Sequence, residues 1–139
     1  MRKTIVFAGL VLWWTLSEPA LSREAGLSES VAAEQLLAEP LAGQPDKQVV
    51  THLYSFPAGA VLPWHFHAGA DEIAYVVEGD FAIEIEGKGV KQLKPGESFY
   101  LPPNAVHRGM NKGTVPVKLF VVRIKPKDKP LATEVRGPN

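Results

Sequence analysis

This 139-residue chain contains no cysteine. Disulfides, a thiol nucleophile and thiolate metal ligands are thereby excluded, and any metal must be held through nitrogen and oxygen. Net charge is also missing, since 15 basic residues balance 15 acidic ones. The lysines cluster only in the proline-rich stretch Lys125 to Pro130, so no basic stripe marks a nucleic-acid surface. Neither a phosphate-cradling loop nor a Ser/His/Asp arrangement is present. The longest apolar run, Ile5 to Leu16, covers 12 residues, well short of the roughly 20 that a membrane-crossing helix needs.

That run has a different use. It follows Arg2 and Lys3 and precedes the polar, small-residue segment Ser17-Glu18-Pro19-Ala20-Leu21-Ser22. Positive charge, a short apolar core and a small-x-small site are the layout of a secretory signal peptide, with cleavage expected after Ser22. Without a twin arginine or a lipid-accepting cysteine, the expected route is Sec-type and the destination periplasmic or extracellular, free of the membrane. Removing residues 1–22 takes away Arg2, Lys3 and Glu18 and leaves a net charge of −1.

What the chain does have is turns. Twelve glycines and twelve prolines divide it into short segments. Residues 23–47 read as an N-terminal extension, in which Ser28 to Leu37 fits a short helix capped by Ser28. Leu36 to Leu41 fits an edge strand interrupted by Pro40 equally well. Gln44-Pro45-Asp46-Lys47 reads as a turn.

From 48 to 125 the signal is β. Val49 to Phe56 is β-branched and aromatic, and the apolar run Ile73 to Val77 within Glu72–Glu78 predicts a strand buried on both faces. Phe81, Ile83 and Ile85 alternate with Ala82, Glu84 and Glu86. Turns are expected at Gly87-Lys88-Gly89, at Lys94-Pro95-Gly96-Glu97 as type II, and at Pro102-Pro103-Asn104, with a short strand Ser98 to Leu101 between the last two. Val106–Met110 and Val117–Ile124 read as a hairpin closed by Asn111-Lys112-Gly113. Residues 126–139 form a tail that wraps the surface or frays. Short strands at this spacing indicate an all-β sandwich or barrel.

Within this frame Gly59 to Gly79 carries the chemistry. His65 and His67 stand two residues apart, so on a strand their rings share a face, and Glu72 can return to it after a short turn. Two imidazoles and a carboxylate converging on one side of a sheet make a divalent-metal site. Two core or surface histidines are the bland alternative.

The spacing Gly59, His65, His67, Glu72, Gly79 resembles the first motif of the cupin superfamily, and Gly96, Pro102, His107, Asn111 resembles the second. One departure is Asn104, standing where the family carries glycine; asparagine is well tolerated at positive φ. The resemblance covers roughly Val49 to Lys125. It implies a single jelly-roll β-barrel with one divalent transition metal (Fe, Mn, Ni, Cu or Zn) held by His65, His67, Glu72 and His107. Tetrahedral zinc would be saturated by four ligands, whereas a six-coordinate ion keeps two open positions. Export means that metal is collected outside the cytoplasm, where ligand chemistry favours Cu, Zn and Ni.

A metal-dependent, dioxygenase-like enzyme acting on a small, partly apolar molecule follows from this resemblance. A ligand- or metal-binding barrel without turnover, or a non-redox lyase or isomerase, is the alternative. Strand parity puts Ala74 and Val76 beside Glu72 as apolar wall, and turns Ile73, Tyr75 and Val77 toward a second sheet or a partner in a homodimer. Trp64 and Phe66 read as packing residues, Asp71 as solvent-facing, and Arg108 as an outward ion-pair member. His52, on the strand face of Val50, Tyr54 and Phe56, and Tyr100, near the barrel mouth, are the candidate acid–base groups.

Overall fold

A computed structural model describes residues 28–138. The expected signal segment lies outside the described residues. Ten strands follow in order: β1 (Ala32–Leu41), β2 (Gln44–Phe56), β3 (His65–Phe66), β4 (Asp71–Glu78), β5 (Phe81–Ile85), β6 (Gly89–Leu93), β7 (Ser98–Leu101), β8 (His107–Met110), β9 (Val117–Pro126) and β10 (Thr133–Glu134). They build two five-stranded sheets, β1-β2-β9-β4-β7 and β10-β3-β8-β5-β6, in which every paired strand is antiparallel. Facing each other, the sheets form the all-β jelly-roll barrel. Period-two alternation fills its interior: Val117, Leu119 and Val121 of β9 and Ala74 and Val76 of β4 are all buried. Phe56, Phe81 and Phe99 close the apolar end, Phe81 meeting Phe56 edge-on at 5.3 Å and Phe99 stacked at 6.0 Å.

Most turns fall where glycine, proline and asparagine suggest. Gly96 takes φ 92° and Glu97 N–H donates to Lys94 O at 3.0 Å, as a type II turn requires. Asn104 adopts φ 66°, and its side-chain oxygen accepts from Gly69 N–H at 3.1 Å.

Four expectations are corrected. The segment around Ser28 to Leu37 is not a helix, and the edge-strand alternative holds: β1 pairs with β2 from Ala32 to Leu41, with register shifts between Gln35 and Leu37 and between Pro40 and Leu41. Among the described residues it is the outermost strand of its sheet, a position that accepts Pro40 because no further described strand needs its missing N–H. The turn lies at Ala42-Gly43, with Gly43 at φ 77°, and Gln44 to Lys47 already belongs to β2. In the single chain β4 is buried on one face only, and Ile73, Tyr75 and Val77 are exposed. Finally, β8 and β9 do not form a hairpin, because they lie in opposite sheets. Buried Asn111 makes the corner between them, donating from Nδ2 to Phe56 O, Pro57 O and Val115 O and accepting from Gly113 N–H. The tail wraps rather than frays: β10 pairs with β3, and Val135 N–H donates to Trp64 O at 2.9 Å.

Candidate metal centre

β3 and β8 present His65 and His107 as register partners, and His67 follows immediately after β3. Their rings lie 4.3 to 5.2 Å apart, centroid to centroid. One ligand atom from each falls within 4.8 Å of the other two. Glu72 approaches from the other sheet, on β4. All four side chains are buried, at 2 to 4% exposure.

The outer nitrogens decide what the inner ones can do. Nδ1 of His65 donates to Pro63 O and Nδ1 of His107 to Ala105 O, both at 2.8 Å and both two residues back. Nδ1 of His67 donates to Leu131 O, 64 residues downstream in the tail, at 2.5 Å. With the proton placed on Nδ1, each ring turns the lone pair of Nε2 toward the centre, the tautomer of a metal-ligating imidazole. Among the described residues Nε2 of His67 is buried without a hydrogen-bond partner, 3.0 Å from Glu72 Oε2. A buried polar atom left in that condition calls for an occupant.

Protonation agrees with this. Burial, reinforced by the neighbouring charge of His107, drives His65 down to about 3, and burial likewise lowers His107. Burial alone would raise Glu72, but the Arg123 guanidinium beside it holds its carboxyl well below the usual range. Neutral imidazoles and an ionised carboxylate are the forms that bind metal. The three histidines therefore fit a metal ion, and Glu72 stands beside them, outside the set whose ligand atoms all lie within 4.8 Å of one another.

Beside His65, Glu72 and His107 lies a small cavity of about 20 Å³. Phe56, Phe81, Phe99 and Leu119 wall its apolar side; His65, His107, Glu72, Tyr54 and Arg123 supply its polar groups.

The profile of the cupin domain matches residues 52–123, just over half of the chain and the stretch that holds all four of these groups. The chain belongs to the cupin family. Among solved structures, KdgF from Halomonas sp. superimposes with a TM-score of 0.60 at 25% identity, over 73% of this cupin and 84% of that chain. An uncharacterised protein of Methanocaldococcus jannaschii is 30% identical over 70 residues, 50% of this chain and 55% of that protein. The dimethylsulfoniopropionate lyase DddQ of Ruegeria pomeroyi is 27% identical over 109 residues, 77% of this chain and 52% of the lyase. The cupin thus spans about half the length of these two curated relatives.

Other expected positions divide sharply. His52 faces the interior, packs its ring 5.8 Å from Tyr54, and does not line the cavity. Tyr100 is 57% exposed on the outer face, where its hydroxyl donates to Asp71 Oδ1 at 2.7 Å. Parity places it there, because Leu101 is the register partner of Glu72 and points inward with it. Arg108 points outward to Glu84, at 2.7 Å, and lies over Trp64. Arg123 and Tyr54 are the groups that sequence reasoning overlooked. The signal was present, since Arg123 occupies the buried parity of β9 behind Val117, Leu119 and Val121.

Proposed function

We propose that this cupin is an exported, metal-dependent enzyme of the dioxygenase-like kind, acting on a small, partly apolar organic molecule. His65, His67, Glu72 and His107 would hold one divalent transition metal. The observation that carries the reading is the convergence of three Nδ1-anchored histidines, two of which, His65 and His107, line an apolar cavity. A bound divalent ion supplies Lewis acidity and, where it is redox-active, a route for electrons. The protein's part is to keep His65 and His107 neutral and Glu72 ionised, and to exclude water with Phe56, Phe81 and Phe99. The cavity admits only a very small group beside the metal, so a larger substrate needs side-chain movement at the chamber wall. Export rests on the pattern of Met1 to Ser22, and the exposed face of Ile73, Tyr75 and Val77 supports pairing with a second copy of the chain.

The deciding experiment is metal analysis of protein purified from its own compartment, with optical spectra under air and under nitrogen. Iron or copper at about one ion per chain, with an oxygen-dependent spectrum, is the expected result. Stoichiometric zinc indifferent to air and to added ligands overturns the enzyme reading.

One observation favours a non-redox lyase or isomerase as the second reading. The Tyr54 hydroxyl stands at the cavity wall as an exchangeable proton, accepting a hydrogen bond from Arg123 Nη1 at 2.8 Å. DddQ, similar over most of this chain, is named a lyase. Bound Zn, Ni or Mn with activity unchanged under nitrogen would select this alternative.

A further inference from the structure

We propose that Arg123 is the positioning residue of the metal centre, holding the Glu72 carboxylate in place as the fourth ligand. This rests on the metal-site reading above and assigns a role to a residue outside both cupin motifs.

Arg123 and Glu72 are register partners on β9 and β4, so their side chains rise from the same sheet face directly opposite each other. Nε donates to Glu72 Oε2 at 2.6 Å, and both side chains are about 95% buried. The guanidinium is itself anchored: Nη1 donates to the Tyr54 hydroxyl at 2.8 Å, and the group lies over the Tyr54 ring at 5.4 Å. The planar fork therefore grips a carboxylate on one side and a phenol on the other, a geometry that a lysine ammonium cannot reproduce. Among the described residues Glu72 is the one proposed ligand without a backbone hydrogen bond to orient it; the three histidines each use a carbonyl. Arg123 does for Glu72 what those carbonyls do for the imidazoles. The same oxygen that Nε holds lies 3.0 Å from Nε2 of His67, so the grip sets the carboxylate beside that histidine.

Two views of Arg123 predict opposite signs. As nothing more than a buried positive charge it repels an incoming cation, and its removal would tighten metal binding. As the group that aims Glu72, its removal weakens binding, as loss of an outer-shell partner does, by about 10- to 100-fold.

The test is competition with a chromophoric chelator for Zn(II) or Co(II), using the full chain and its variants. Arg123→Met is expected to lose about 10- to 100-fold in affinity. Arg123→Lys, which keeps the charge, should lose most of the same factor. Tyr54→Phe, which removes one hydroxyl and preserves the ring, should lose about 2- to 10-fold. In a Glu72→Gln background Arg123→Met should change affinity by no more than about twofold, because the carboxylate it positions is gone. Unchanged or tighter binding in Arg123→Met overturns the proposal, and so does an equal loss with and without Glu72, which marks general damage to the barrel. Should Arg123→Met fail to fold, Arg123→Lys and Tyr54→Phe decide: full wild-type affinity in both overturns it. A wild-type chain that binds no metal sinks the metal centre itself, an outcome distinct from a wild type that binds and an Arg123→Met that binds equally well.

Discussion

Each of the three histidines gives its Nδ1 hydrogen to a backbone carbonyl and keeps Nε2 for the centre, so loss of one ring should affect metal and fold together. His67→Ala is expected to reduce bound metal from about one ion per chain to a small fraction. It should also remove the stabilisation that metal confers, about 4 kcal/mol at a thousand times the dissociation constant. Plasma emission analysis paired with thermal melts reads both, and full metal content in the variant would refute the ligand assignment. Tyr100→Phe, by contrast, should leave metal content unchanged, since that hydroxyl serves Asp71 on the surface.

The same rings set a pH dependence for the metal-free protein. His65 falls from 6.5 unfolded to about 3 folded, and His107 shifts in the same direction. The unfolded chain therefore binds more protons below 6.5, and stability is lost as pH drops through that value toward 3. The slope is about 1.4 kcal/mol per pH unit for each histidine kept neutral. Glu72, held ionised by Arg123, adds a loss of the same sign below its unfolded value of 4.5. Urea titrations of chelator-treated protein from pH 7 to pH 4 check this, and a flat profile would contradict it. At this scale the meeting of His65, His67 and His107 was legible because i, i+2 parity and spacing are local. Counting from Pro102 put Tyr100 near the barrel mouth, whereas counting from Glu72 puts it on the outer face. Arg123 needed one more application of parity, to the far strand of the barrel.

Between residues and the barrel lie elements whose pairing the sequence shows only when it is local. The type II turn at Gly96 and the left-handed Asn104 depend on their own side chains and were readable. The β8–β9 connection was not, because the sheet that β9 joins is set by β2 and β4, far away in sequence. Gly79 shows the same dependence: at φ 73° a Cβ there would stand 2.5 Å from Pro116 O, on the very loop that leads into β9. β10 is the clearest non-local case, since a two-residue strand in a proline-rich tail has no periodicity to detect. It pairs with β3, and Leu131, two residues before it, supplies the carbonyl that orients His67. Deleting residues 130–139 should therefore lower metal affinity about 10-fold, as loss of an outer-shell partner does. Deleting only 135–139 should leave that affinity intact, because Leu131 and β10 remain. Chelator competition on the two truncations distinguishes a tail that orients a ligand from one that merely covers the surface.

Viewed as a whole, the barrel buries one face of its first sheet and leaves the other unusually apolar. Across three strands the rows Ile73–Val122–Thr51 and Tyr75–Phe120–Leu53 run along that outer face, bordered by Val77 and Tyr100. Ile73 is 50% and Tyr75 46% exposed in the single chain. The run of five apolar residues in β4 led the sequence to predict burial on both faces, and the single chain supplies only one. A second copy supplies the other if the same patch packs on itself about a two-fold axis, as closed dimers do. The charges that would oppose this stand at the ends of the strands, where Lys118 pairs with Glu78 at 3.0 Å. Light scattering of the wild type at tens of micromolar is expected to give twice the chain mass. Ile73→Lys combined with Tyr75→Glu should give the monomer, since central contacts dominate such interfaces. Because both side chains point away from the histidines, the double variant should retain its metal. A wild type that runs as a monomer would leave the burial signal of β4 without a partner and remove the dimer reading, while loss of metal in the double variant would show that the sheet face and the site are mechanically coupled.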